Sequence, residues 1–166
     1  MANKQNFTPE EWTKISESVM LAGMAVSAAE PSGLWGTLKE AFASSSAVAT
    51  AKADAGSNDL IRAVIANLET SEGRSAIQEA LRTQFKGAKP ADVVQRSLAN
   101  LREVSGILNT KAPGDAPAFK AWLQAISQKV AAASAEGGFL GMGGVQVTDA
   151  EKATLADISK ALSTSA

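Results

Sequence analysis

The sequence predicts an all-α protein, a single-domain bundle of about six to seven helices over residues 1–166, with residues 1–7 and 163–166 as flexible ends. Three observations carry this. Alanine makes up roughly a fifth of the chain and aromatic residues only 5%, a composition that favours helix over strand. Apolar residues recur three and four positions apart along most of the chain. Helix starts are marked by capping residues, whereas Val145-Gln146-Val147, the nearest thing to a strand, is too brief to be one.

Thr8-Pro9-Glu10-Glu11 opens the first helix, with a capping hydroxyl, a proline at the first helical position and a glutamate three residues on. Trp12, Ile15, Val19, Ala22 and Val26 follow at helical spacing, and Val19 to Val26 is apolar all round. A helix with no polar face belongs in the centre of a bundle. It stops before Pro31-Ser32-Gly33. A second helix is expected from about Leu34 to Ala53, weakened at Ser44-Ser45-Ser46. Ala55-Gly56-Ser57 links it to a cap at Asn58 and to the stripe Leu60, Ile61, Val64, Ile65 and Leu68. Thr70 to Gly73 interrupts that stripe, and Ile77, Leu81 and Phe85 carry a further helix to Lys86-Gly87.

Pro90 opens a helix with Val94, Leu98, Leu101, Val104 and Leu108 on one face, and Arg96, Arg102 and Glu103 on a solvated face. The turn Lys111 to Pro117 contains Asp115 as a cap for the stripe Phe119, Trp122, Leu123, Ile126 and Val130. Thr148-Asp149-Ala150-Glu151 repeats the capping-box pattern ahead of Leu155, Ile158 and Leu162. No fixed internal period suggests a solenoid.

The chain has no Cys, His or Tyr. Thiol nucleophiles, disulfides, imidazole bases and cysteine or histidine metal ligation are therefore excluded. Carboxylates, lysines and hydroxyls are what remain for chemistry. A net charge of −1 with dispersed basic residues argues against nucleic-acid binding. The longest apolar run is too short to span a bilayer, and a soluble cytoplasmic protein is the expectation.

The segment Glu136-Gly137-Gly138-Phe139-Leu140-Gly141-Met142-Gly143-Gly144 is the most distinctive of the chain. Its glycines give an adaptable backbone, while Phe139, Leu140 and Met142 need an apolar groove, in their own bundle or in a partner. A phosphate-binding loop is disfavoured, because no strand precedes the segment and no Gly-Lys-Ser/Thr follows it. Trp12, Trp35 and Trp122 fall on apolar helix faces. They read either as core with each indole N–H paired, or as the lining of an apolar pocket with Met20, Met24 and Met142. The acidic residues Glu10, Glu11, Glu17, Asp54 and Asp59 lack calcium-loop spacing and fit helix starts better than a metal site. Lys120 reads as a side chain snorkelling at the edge of an apolar face.

The runs Phe119-Lys120-Ala121-Trp122-Leu123, Glu136 to Val145 and Thr148-Asp149-Ala150-Glu151-Lys152 resemble the C-terminal end of a family of uncharacterised bacterial all-helical proteins, and Pro31-Ser32-Gly33-Leu34-Trp35-Gly36 is similar to the same group. The resemblance implies a bacterial origin and carries no catalytic residue across.

The expected function is that of a non-enzymatic protein acting by self-association, or by binding an apolar ligand or partner segment near the glycine-rich loop. The candidate binding residues are Trp12, Met20, Met24, Trp35, Trp122, Phe139, Leu140 and Met142, with no cofactor, no metal and no catalytic residue. The alternative is an enzyme using carboxylate or lysine chemistry in an interhelical cleft. Homo-oligomers, a protein partner or an apolar small molecule are the candidate partners.

Overall fold

The structure is a computed structural model and describes residues 2–29, 52, 56, 58–136 and 147–163. Among these residues the chain is all-α. Six α-helices follow one another: α1 (Pro9–Ala29), α2 (Asp59–Glu69), α3 (Ser71–Phe85), α4 (Pro90–Lys111), α5 (Ala116–Glu136) and α6 (Asp149–Ser163), preceded by a single 3-10 turn at Lys4–Asn6. The helix expected between Leu34 and Ala53, Trp35, and the glycine segment with Phe139, Leu140 and Met142 lie outside the described residues.

Helix α1 is the axis of the bundle. It packs most extensively on α4 and then on α5, and it also touches α2, α3 and α6. Every residue from Ile15 to Ala28 is buried, as an apolar run without a polar face requires. One core gathers residues from all six helices, including Leu21, Leu60, Ile77, Leu101, Phe119 and Ile158. No described helix is long and apolar enough to cross a membrane.

The local starts follow the capping logic. At α1 the Thr8 hydroxyl accepts from Glu11 N–H at 3.2 Å, and the Glu11 carboxylate accepts from Thr8 N–H at 2.8 Å. At α6 the same reciprocal pair joins Thr148 and Glu151, at 2.8 and 3.2 Å. Asn58 caps α2 by accepting from Ile61 N–H at 3.1 Å. Thr70 ends α2 and starts α3, its hydroxyl accepting from Gly73 N–H at 2.9 Å. At Gly73 a Cβ would collide with the carbonyl oxygen of Asn67, so this bend closes only around a residue without a side chain. Gly87, at φ +69°, turns the chain after α3.

Three details differ from the expected pattern. The buried face of α4 starts at Val93 rather than Val94, since Val93 falls in line with Ser97, Leu101, Val104 and Leu108. The N-terminal segment, expected to be loose, packs from Ala2 onward: Phe7 is buried and stacks on Trp12 with ring centroids 6.0 Å apart. Asp115 does more than precede α5. Its carboxylate accepts from Ala2 N–H at 2.8 Å and from the Asn58 amide at 2.9 Å, tying Ala2, the start of α2 and the start of α5 into one largely buried knot.

Two outcomes test this architecture. Gly73→Ala is expected to destabilise the fold by about 1–3 kcal/mol, because backbone has to shift to admit the methyl group. Asp115→Ala is expected to cost about 1–3 kcal/mol, since it leaves the buried Ala2 N–H unpaired and takes the acceptor from the half-buried Asn58 amide. Both are read from the midpoint of urea unfolding at unchanged slope.

Candidate functional site

The seam between α1 and α4 carries polar residues in register. Glu17 faces Asn100, Lys14 pairs with Glu103, and Glu11 pairs with Lys111 at 2.7 Å. Numbers fall along α1 as they rise along α4, so the two helices run antiparallel. Glu11 and Lys111 are partly exposed, Lys14 and Glu103 more so, and such pairs are worth little individually. The Glu17–Asn100 rung is different, for it is buried: Glu17 is 4% and Asn100 5% exposed.

A cleft of about 630 Å³ opens over this rung. Its walls come from the first half of α1, from Ala80 and Gln84 of α3, and from Arg96, Ala99 and Glu103 of α4. Inside it, Asn100 donates from Nδ2 to Glu17 Oε1, while Asn100 Oδ1 is buried with no hydrogen-bond partner among the described residues. Leaving such an acceptor dry costs about 1–3 kcal/mol. The cationic groups of the cleft are already engaged: Lys14 by Glu103, and Arg96 by the Gln84 carbonyl at 2.5 Å.

Burial pushes the Glu17 carboxyl up from 4.5 to about 7, the Glu103 carboxylate adding to the rise while the Asn100 amide and Lys14 oppose it. Desolvation outweighs the partners because an amide dipole does not replace lost hydration. Glu17 therefore changes charge near neutrality. Glu11 moves the other way: the Lys111 ammonium and the Thr8 backbone N–H favour its carboxylate and lower its pKa. Pairing with Glu103 raises the Lys14 ammonium.

Of the residues expected to bind an apolar ligand, Trp12, Met20, Met24 and Trp122 are described. All four are buried in the common core, 3–7% exposed. Trp12 and Met24 are separated by twelve positions of one helix, about 18 Å along its axis, so they do not line one small pocket. Trp122 packs edge-on against Phe119, centroids 5.2 Å apart. The expectation that each indole N–H finds an acceptor fails at Trp12, whose Nε1 has no partner among the described residues. Lys120 sits at the rim of a smaller cleft of about 450 Å³ between α5 and the ends of α4 and α6, its ammonium on Asn109 Oδ1 at 2.7 Å. Partial burial lowers its pKa. Among the described residues no group of three or more acidic side chains could hold a metal ion.

Sequence reasoning placed Glu17 among helix-start acids and Arg96 and Glu103 on a solvated face. The missed signal was Glu17 itself, a carboxylate between Ile15 and Val19 on a helix read as apolar.

Stability should carry the mark of Glu17. Its folded pKa lies above the unfolded value, so its contribution is fully present below pH 4.5 and is lost as pH rises through about 7. The loss amounts to at most about 3 kcal/mol. Glu17→Gln should flatten this part of the stability–pH curve, measured by urea unfolding across that range. An unchanged slope would show that Glu17 titrates normally in the folded protein.

No protein-family model, curated protein or solved structure matches this chain.

Proposed function

We propose that the protein is a non-enzymatic helical bundle that acts by binding, and that its ligand or partner meets it in the cleft between α1, α3 and α4. The observation that carries this reading is the Glu17 carboxyl, 4% exposed and held by Asn100, lining a cleft of about 630 Å³. A bundle selected for stability alone would place apolar side chains there, and a desolvated carboxyl lining a cleft is a mark of functional sites. The tryptophans and methionines of α1 and α5 are spent on the core, which favours this polar cleft over an apolar pocket lined by them. Bacterial origin rests on the resemblance of the C-terminal segment.

An enzymatic reading has one observation in its favour, the Glu17 carboxyl at about 7, suited to general acid–base work. The two cationic groups of the cleft are engaged, Lys14 by Glu103 and Arg96 by the Gln84 carbonyl, which leaves only the carboxylates Glu10 and Glu103 beside Glu17 in the cleft. Binding without turnover is therefore the better account.

Amide chemical-shift mapping of the full chain against a small-molecule library tests it. Hits should perturb residues around Thr13, Glu17, Ala80 and Asn100 together and emerge unchanged after incubation. A library that perturbs nothing at the cleft would overturn the proposal, and a chemically altered hit would favour the enzyme.

A further inference from the structure

Resting on that reading of the cleft, we infer that its ligand is a small organic cation, an ammonium or guanidinium group on a slim carbon chain, seated against the carboxylate of Glu17, which Asn100 holds in place. The inference follows from which groups are spent and which are free. Lys14 is held by Glu103, and the Arg96 guanidinium by the carbonyl of Gln84. What the cleft still offers is acceptors. The Glu17 carboxylate lines the cleft and accepts from Asn100 through Oε1 alone, while Asn100 Oδ1, though unpartnered among the described residues, is enclosed by protein. Glu10 stands at the mouth.

The charges facing Glu17 agree with a cation. From α1 come Glu10 and Lys14, and from α4 Arg96 and Glu103, while α3 contributes neutral Ala80 and Gln84. With Glu17 ionised, three carboxylates stand against two cations, one negative charge in excess. An anion would meet the Glu17 carboxylate directly. A neutral donor would hydrogen-bond that carboxylate but leave its buried charge uncompensated, which is the costlier defect. An ammonium or guanidinium group supplies both the N–H donors and the charge. The volume exceeds what the charged head needs, and Pro9, Ala80 and Ala99 give the remaining chain an apolar wall.

A second consequence is coupling to protons. The cation favours the ionised carboxylate, so binding releases a proton from Glu17 when the pH lies below its folded pKa. When protonated, Glu17 offers a donor in place of a charge, and the preference for a cation is lost.

Calorimetric titration of the full-length protein with agmatine and with putrescine tests this, with 1-butanol and butyrate as neutral and anionic controls of similar width. At least one of the two cations should bind, with neither control competing. Between about pH 8 and about pH 6 the affinity should fall by about tenfold, following the ionised fraction of Glu17. Glu17→Gln keeps the shape and the acceptor oxygen used by Asn100 while removing the charge, and should lower affinity by at least about tenfold while abolishing the pH dependence. Asn100→Ala, whose fold is checked by circular dichroism, should also weaken binding. Failure of both cations to bind, or binding that Glu17→Gln leaves untouched, would overturn the inference. Cleft shifts caused by butyrate or butanol but by neither cation would overturn it too, and would leave the broader binding proposal standing. An absence of cleft shifts with any compound would remove both.

Discussion

Everything in this bundle depends on the burial of α1. A helix buried continuously from Ile15 to Ala28 has no face left for water, so the other five helices must close around it. That is why α1 touches every other helix of the described chain. The driving force is removal of apolar surface from water, about 1.5–3 kcal/mol for each fully buried side chain such as Ile15 or Leu21. Alanine and glycine at positions 22, 23 and 25 let neighbouring helices approach this axis closely.

Directional interactions then choose one arrangement among those that would bury the same surface. Three paired positions along α1 and α4 set their antiparallel register, with the polar rung of Glu17 and Asn100 inside and the ion pairs outside. Ser105 of α4 donates to the Leu162 carbonyl at 3.0 Å, satisfying an acceptor in the last turn of α6. Asn67 of α2 donates to Ser16 of α1 at 3.3 Å. The buried knot at Asp115 does for the chain's connections what these bonds do for its helices.

Most of the helix pattern was legible because it is written in short-range chemistry. Thr8 with Glu11, Thr148 with Glu151, and Asn58 before Leu60 each cap the helix they start, and such signals need no tertiary knowledge. The stripe at Leu60, Ile61, Val64, Ile65 and Leu68 is buried throughout. The cleft was not legible, because it is made of residues that meet only when α1, α3 and α4 pack. Glu17 and Asn100 are 83 positions apart, and nothing local marks Asn100 as its partner. Asp115 shows the same limit: its position before α5 suggested a cap, whereas its carboxylate serves Ala2 and Asn58. Periodicity alone could not separate a core tryptophan from a pocket tryptophan either, since both need an apolar face.

The same central helix has a cost in time. Helix α1 is synthesised before α4, α5 and α6, its most extensive partners. Until those helices are made, the apolar run from Val19 to Val26 lacks most of its native packing surface, and among the described helices α2 and α3 can shield part of it. The growing polypeptide thus carries this apolar run incompletely covered until α4 is made. Chaperone occupancy of the nascent chain is a natural counterpart of a bundle built around a helix that precedes its main partners in sequence.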